Sequence, residues 1–300
     1  MEPLFLAVVC GCNAGLFREA LREVYIPRIQ RGDVSFAANV LGATRALLSG
    51  LVHFFENGHW GSLVETAAVG QNLTEEDQLF ILMQAARYLT ATRESAPEAR
   101  ICYEAAEGLC HSLNRPQSLY LALLGQWRHS LHTDKLSVAM ERAKRVYTLA
   151  QEQKDCTLII GACAAVGWTH YYLADLATAR QYARHGVQIW RSSIERSPFQ
   201  ELDAQPVGCL CLEALLEWNF GEIASSRITM AEAISLAKEL NDMHGLAVAL
   251  GCAAARAYYV NPIEVDRLAT DLIELSTASQ FYALAWCRSR LPWLGAQCFR

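Results

Sequence analysis

A short turn between two apolar helical runs occurs three times along the chain. It appears first at Gly15–Leu21 (GLFREAL), and similar turns follow at 174–179 (ADLATA) and 221–226 (GEIASS). In each turn a small residue ends one helix, an apolar residue opens the next, and Ala or Ser follows where two helices approach closely. A helix pair of this kind buries only part of its apolar surface alone, so the recurrence predicts stacked pairs that share one continuous core.

The composition supplies enough apolar residues for a large, mainly helical core. Of the 300 residues, 52% are hydrophobic and 19% are charged, which disfavours a disordered chain. The small numbers of helix-breaking residues, 8 Pro and 18 Gly, favour helix. We therefore predict an all-α fold, a right-handed α-solenoid of stacked helix pairs.

Charge and hydropathy argue against two kinds of partner. The net charge of -5 gives no basic footprint, so we expect no nucleic-acid binding by this chain. No apolar run approaches the roughly 18 residues that a membrane span requires, so we expect no membrane partner. The run at 4–10 is short, follows Glu2 and lacks a basic flank, and we interpret it as part of a first helix whose earlier portion is missing.

The cysteines indicate a reducing compartment. The chain has 11 of them, an odd number, and none lies in a Cys-x-x-Cys pair. Several occupy Ala-like positions within apolar runs, where a reduced thiol acts as a small hydrophobic group. A disulfide framework would need regular spacing and an oxidising environment, so we predict a cytoplasmic protein.

The helical pattern is nearly continuous along the chain. We predict one long helix at 35–55 and then five pairs: 74–92 with 96–113, 117–132 with 135–153, 156–173 with 176–191, 206–220 with 222–240, and 243–259 with 262–279. The triplet at 72–74 matches a glycosylation site, but Thr74 is equally suited to cap the helix that follows. The irregular segment 191–206 is interpreted as a loop within the stack.

We predict a single repeat domain over 1–300 that is truncated at both ends. Its parts are divergent repeats at 1–73, the best-matching repeats at 74–280, and a truncated terminal helix at 281–300. The repeat spacing is irregular, since Ala139 to Ala179 is 40 residues against about 34 for a tetratricopeptide repeat.

Four segments resemble one known class of protein. They are Arg142–Asp155, Gly167–Trp190, Ala204–Gly221 and Ala231–Leu250, and they are similar to the tetratricopeptide-like C-terminal region of large bacterial signalling ATPases. In those proteins an adenylate or guanylate cyclase, a kinase or a winged-helix domain precedes the ATPase. The resemblance implies a non-catalytic scaffold that binds a protein or peptide, such as an adjoining ATPase, cyclase or winged-helix domain of the full-length protein.

The chain departs from that class in lacking the ATPase itself. No Gly-Lys dipeptide occurs in the chain, so the phosphate-binding loop of the ATPase is absent and we expect a fragment or truncated gene product.

The second candidate function is a small-ligand (inducer) sensor, as in the helical-repeat regions of some maltose-type transcription activators. A pocket with converging polar groups would favour the sensor, and an open aromatic groove would favour a peptide.

No metal, cofactor or catalytic residue is predicted. The nearest candidates for a metal are Cys10 with Cys12, Cys209 with Cys211, and His129 with His132. Thiols at i and i+2 diverge by about 200° on a helix, so we interpret the cysteines as packing residues. The histidines lack an accompanying Glu or Cys in a zinc-binding pattern, and we place them at a helix end near Asp134.

Glu213 and Glu217 form an i, i+4 pair of carboxylates that is compatible with acid/base chemistry. Nothing in the sequence builds a substrate pocket around them, so we interpret them as a solvated helix face. A Gly-x-Ser-x-Gly turn and a local signature for a catalytic cysteine are both absent from the sequence.

One aromatic set is the candidate binding site. Aligning the first helices on a shared small residue (Gly125, Gly167, Ala214, Ala254) brings together the residues one turn later. The resulting partner-binding candidates are His129, Trp168, Tyr171, Tyr172, Trp218, Tyr258 and Tyr259. First helices line the concave groove of such stacks, so these side chains either grip a peptide or fill space between neighbouring helices.

Overall fold

The computed structural model describes residues 2–32, 37, 43–65, 70–92, 96–192, 205–257 and 262–279. Within these ranges the chain forms thirteen α-helices, one π-helical stretch and two 3-10 turns. An isolated antiparallel bridge between Phe55 and Leu63 is the β-structure of the described residues. The chain divides into two compact units, Met1–Thr133 and Asp134–Arg300.

The first unit begins with a helical hairpin and ends with three longer helices. Its elements are α1 (Glu2–Asn13), α2 (Phe17–Glu19), a π-helical continuation (Ala20–Gln30), α3 (Thr44–Leu51), 3-10 turns at Val52–Phe54 and Glu56–Gly58, α4 (Glu75–Thr92), α5 (Pro97–Ser112) and α6 (Pro116–Thr133). The segment predicted as a turn, Gly15–Leu21, includes the connection between α1 and α2, where Gly15 has φ +76, and continues through α2 into the π-helical stretch.

The helix predicted over 35–55 is wrong at its C-terminal end. Regular helix stops at Leu51, and Phe55 is extended with φ -108 and ψ 139. Phe54 and Phe55 are both buried. The helix ends because the backbone pairs with another segment: the Glu56 N–H donates to the Ser62 carbonyl at 2.8 Å, and the Val64 N–H donates to the Phe54 carbonyl at 3.0 Å. Residues 33–36 and 38–42 lie outside the described part of the chain.

The start of α4 is fixed by reciprocal hydrogen bonds. The Asp77 backbone N–H donates to the Thr74 hydroxyl at 3.2 Å, and the Thr74 backbone N–H donates to the Asp77 carboxylate at 3.1 Å. This capping box confirms Thr74 as the residue that begins the helix. Asp77 is fully buried and also accepts from Arg22 at 2.6 Å, which ties the π-helical stretch to α4.

In its described residues, the second unit forms three helix pairs and one preceding helix. The helices are α7 (Leu136–Gln153), α8 (Cys156–Tyr172), α9 (Leu176–Ser192), α10 (Gln205–Asn219), α11 (Ile223–Glu239), α12 (Met243–Ala257) and α13 (Pro262–Ser279). Each first helix packs against its own second helix, and α8 packs against α10 as α10 does against α12. The individual helices predicted from 74 to 279 are confirmed, with small differences at their ends.

Three helices of this unit share a pattern of buried residues. The pattern is i, i+4, i+7 and i+11 on α7 and α11, and the first three of these positions on α9. The buried positions are Ala139, Ala143, Val146 and Ala150 on α7, Ala179, Ala183 and Gly186 on α9, and Ser226, Met230, Ala233 and Ala237 on α11. The small residues permit close approach, and the other face of each helix remains in water. In contrast, α8 is apolar around most of its circumference and is buried along most of its length.

The turns between helices adopt the left-handed conformation. Gly221 after α10 has φ +81, and Ala174 after α8 has φ +61 although it carries a Cβ. The Asp175 N–H donates to the His170 carbonyl and the Ala174 N–H to the Tyr171 carbonyl, so the last carbonyls of α8 are paired.

Ion pairs join α9 to the helix pair that follows it. Arg184 contacts Glu213 at 3.2 Å, Arg191 contacts Glu232 at 2.6 Å, and Arg180 contacts Glu222. The irregular segment predicted at 191–206 lies largely outside the described residues. These ion pairs connect α9, which precedes the segment, to α10 and α11, which follow it.

Candidate partner-binding site

Three aromatic residues cluster at the C-terminal end of α8. The ring of Trp168 lies 5.6 Å from that of Tyr171, edge to face, and 6.2 Å from that of Tyr172. The two tyrosine rings are 6.0 Å apart at 83°. Edge-to-face geometry places positive ring edges against negative ring faces and restrains all three side chains. We call Trp168, Tyr171 and Tyr172 the aromatic cluster.

A hydrogen bond anchors the aromatic cluster to the next first helix. The Trp168 indole N–H donates to the backbone carbonyl of Gly208 on α10 at 3.1 Å. Close packing beside it depends on Gly167, where an added Cβ would lie 2.7 Å from Leu212 Cδ2 and 3.4 Å from the Ala179 carbonyl. The small residue predicted at this slot therefore lies at a close helix crossing.

The members of the aromatic cluster are neither fully buried nor fully exposed. All three are of intermediate burial, and Trp168 and Tyr171 pack against the buried residues Leu212 and Leu216. One side of the cluster thus belongs to the core, and the other side presents rigid apolar and polar surface. Aromatic side chains that are already restrained lose little rotamer entropy on contact, which is why we consider this cluster the candidate binding site.

The other predicted binding residues lie in different surroundings. Trp218 is half-buried near the end of α10, and within the described residues it makes no ring contact with the aromatic cluster. His129 belongs to the first unit and is 5% exposed, so it offers little surface. Tyr258 and Tyr259 lie outside the described residues. Their place in a common groove stays a prediction.

Cys12, Cys209 and Cys211 are buried and have the environments of packing residues, as predicted, whereas Cys10 is exposed on α1 and the packing interpretation is wrong for it. Cys209 donates to the Ile160 carbonyl at 3.4 Å, whereas Cys211 lies beside Cys252 on α12, so the two side chains diverge as predicted. Burial raises the pKa of Cys163 to about 12 and that of Cys209 well above its usual value. Neutral, buried thiols are poor nucleophiles and poor metal ligands.

The described part of the chain holds neither a cluster of metal ligands nor a helix that could span a membrane. In the ranges that the structure describes, no group of three or more His, Cys, Asp or Glu side chains is placed to hold a metal ion. Within those ranges, no helix combines the length and the apolar character that crossing a membrane requires.

The interpretation of Glu213 and Glu217 as a solvated helix face is wrong. Glu217 is 5% exposed and accepts a hydrogen bond from the Ser225 hydroxyl. The Glu213 side chain is 12% exposed and pairs with Arg184. Burial raises the pKa of Glu213, and the hydrogen bond from Arg184 opposes that rise. The arginine belongs to the preceding helix pair, which spacing within α10 alone does not reveal.

Exposed apolar side chains at two turns were not predicted either. Leu173 is exposed after α8, and Phe220 and Ile223 are exposed around the turn after α10. The guanidinium carbon of Arg180 lies 4.8 Å from the centre of the Phe220 ring. The signal in the sequence was the apolar residue on either side of the small residue of each turn, but we used these turns only to predict the helix ends.

The geometry defines an all-α protein of stacked tetratricopeptide-like helix pairs, as predicted. A solved structure with this fold is that of a Rap protein complexed with competence and sporulation factor. The likeness has a TM-score of 0.58 and 12% sequence identity, and it covers 85% of this chain and 71% of the Rap chain. No protein-family model and no curated protein sequence matches the chain.

Proposed function

We propose that this chain is a non-catalytic interaction and regulatory module that binds a protein or peptide through the aromatic cluster. The observation that carries the proposal is the anchoring of three half-buried aromatic side chains at one helix end by the Trp168–Gly208 hydrogen bond. Preorganised aromatic groups bind with a small loss of conformational entropy, so they supply affinity efficiently.

The structural likeness supports an interaction role in a general way. The Rap protein was solved with competence and sporulation factor bound, so the same fold accommodates a bound factor in that protein. Fold likeness alone does not transfer a ligand, and the proposal for this chain therefore depends on its own aromatic cluster.

We further propose that the module functions in the cytoplasm as part of a bacterial signalling ATPase. The four segments that resemble the C-terminal region of those proteins support this context, as do the nine free thiols among the described cysteines. Sequencing the genomic DNA on both sides of the reading frame provides the test. An adjoining ATPase, cyclase or winged-helix domain would support the proposal, and unrelated genes on both sides would contradict it.

A peptide selection tests the binding function directly. Random linear peptides displayed on phage are selected on the immobilised full chain, and the affinities of the winners are measured by fluorescence anisotropy. We expect Tyr172→Ala to weaken binding by about tenfold or more, because it removes an accessible ring of a binding hot spot. Tyr147→Ala is the matched control, since Tyr147 is a half-buried tyrosine outside the aromatic cluster.

Two results would contradict the proposal. One is equal loss of affinity in Tyr172→Ala and Tyr147→Ala, which would indicate a general effect on folding. The other is the absence of any selected peptide together with a saturable thermal shift from a small polar molecule. That second outcome would favour the small-ligand sensor.

A further inference from the structure

Exposed apolar side chains mark the turns where first helices of the second unit end. Leu173 follows α8 and is 46% exposed, while Phe220 and Ile223 flank the turn after α10 at 46% and 37%. α8 packs against α10, and Arg180, in the first turns of α9, contacts both Phe220 and Glu222 of the turn after α10, so the two turns neighbour each other. We call Leu173, Phe220 and Ile223 the turn edge. Such a patch on a folded chain is a candidate contact surface.

Acidic groups outnumber basic ones beside the turn edge. Three carboxylates on or after α10, those of Glu213, Glu217 and Glu222, interact with Arg180 and Arg184 of α9. Arg191 of α9 also acts on Glu213, but its own ion pair is with Glu232 of α11. Asp175, in the turn after α8, adds a further carboxylate, and its Oδ2 lies 3.1 Å from Nδ1 of His170. The local excess of negative charge favours a cationic partner.

Glu217 is the carboxylate whose hydrogen bonding is incomplete. Its Oε1 accepts from the Ser225 hydroxyl, whereas its buried Oε2 accepts no hydrogen bond from the described residues. Ser225 is itself exposed in the first turn of α11, so the carboxylate lies one side chain below the surface. A buried carboxylate oxygen that lacks a donor destabilises the fold, and a donor from a partner would relieve that cost.

We propose that the turn edge binds a partner segment that carries both apolar and cationic side chains, with a lysine or arginine donating to Glu217 Oε2. The apolar side chains pack on Phe220 and Ile223, and the cation determines which segments are accepted. A second copy of this chain is disfavoured as the occupant, because the chain has a net charge of -5 and like charges repel. The inference rests on the proposed function but uses a surface other than the aromatic cluster.

Two synthetic amphipathic peptides provide the probes. One is a helical peptide of leucine and lysine, and the other has glutamate in place of every lysine. Both are titrated with the full chain at physiological salt and followed by fluorescence anisotropy. The variants are Glu217→Gln, which retains side-chain size and the bond from Ser225, and Phe220→Ala. Ile228→Ala is the control, because Ile228 is a 70% exposed apolar residue on α11 outside the turn edge.

We expect the lysine peptide to bind the wild-type chain at least about tenfold more tightly than the glutamate peptide does. Glu217→Gln and Phe220→Ala each weaken the lysine peptide by about tenfold or more, and Ile228→Ala leaves its affinity unchanged. Equal affinity for both peptides, no binding of the lysine peptide, or an unchanged affinity in Glu217→Gln would overturn the inference. A dimer that Phe220→Ala dissolves would overturn it in favour of a second copy.

The outcomes separate this inference from the proposed function. If phage-selected peptides lose affinity in Tyr172→Ala while the turn-edge variants bind the lysine peptide as the wild type does, the proposed function stands and this inference fails. Should Phe220→Ala fail to fold, as judged by circular dichroism, the Glu217→Gln titration decides alone.

Discussion

The Trp168 indole donates to the backbone carbonyl of Gly208 over 3.1 Å, and this bond joins the end of α8 to the start of α10. It fixes the aromatic cluster and a helix–helix crossing at the same point. The surface that we propose for partner binding is therefore also part of the packing between successive helix pairs. Substitutions can separate these two contributions.

The hydrogen bond is tested by Trp168→Phe, which keeps an aromatic ring and removes the donor. We expect a loss of about 1 kcal/mol in the free energy of unfolding, the typical net contribution of one such bond. Urea denaturation gives the measurement. Trp190→Phe, a half-buried tryptophan on α9 outside the cluster, is the control. Equal stability of Trp168→Phe and the wild type would show that the bond contributes nothing in solution.

Gly167 tests the close crossing between α8 and α10. Because a Cβ there would lie 2.7 Å from Leu212 Cδ2, Gly167→Leu overpacks the crossing and costs about 1–3 kcal/mol or more. Gly108→Leu on α5 is the matched control, since nothing lies within 4 Å of a Cβ at that position. Melting temperatures measure both variants. A Gly167→Leu protein as stable as the wild type would mean that the slot does not restrict the helices.

Most of the helix boundaries were predictable from the sequence, because each lies at a change in hydrophobic period next to a small or turn-forming residue. The turn at Ala174 and the capping residue Thr74 are examples. What was missed depends on contacts between distant residues. Glu217 is buried and accepts a hydrogen bond from Ser225 of the next helix, and the helix before Phe55 ends where its backbone pairs with residues 62–64. Helical periodicity within one segment carries neither kind of information.

The two turns of the second unit form a matched test of backbone strain. Ala174 has φ +61, where a Cβ is disfavoured, so we expect Ala174→Gly to raise the free energy of unfolding by about 1 kcal/mol. Gly221 has φ +81, and Gly221→Ala should lower that free energy by a similar amount, about 1 kcal/mol. Thermal and urea unfolding of both variants provide the comparison. Changes of the same sign would contradict the assignment of both turns.

The raised pKa of Glu213 predicts that the stability of the folded chain depends on pH. Its pKa is raised by burial in the folded state, so the folded chain holds this proton more tightly than the unfolded chain. Above the folded-state pKa of Glu213, the wild type therefore has a lower free energy of unfolding than Glu213→Gln. This difference shrinks as the pH falls from the folded-state pKa toward the pKa of an unfolded glutamate, about 4.3. Denaturant unfolding of both proteins between neutral and acidic pH measures the difference. A wild type that loses stability relative to Glu213→Gln on acidification would show that the ion pair with Arg184 dominates.

Substituting Tyr171 and Trp218 tests whether these residues belong to a binding surface or to the core. Tyr171 and Trp218 are both half-buried, and Tyr171 also packs against a buried cluster. If they act mainly in binding, Tyr171→Ala and Trp218→Ala should weaken a selected peptide by about 2 kcal/mol and change stability little. If they act mainly as core residues, the same substitutions should cost about 3–5 kcal/mol of folding free energy.

Measuring both quantities on each variant decides between these functions, because a hot-spot residue moves affinity and a core residue moves stability. Tyr120→Ala calibrates the stability scale, since Tyr120 is a fully buried tyrosine on α6. We expect Tyr171→Ala to unfold at a temperature close to that of the wild type and well above that of Tyr120→Ala. A Tyr171→Ala protein as unstable as Tyr120→Ala, with unchanged peptide affinity per folded molecule, would remove Tyr171 from the binding surface.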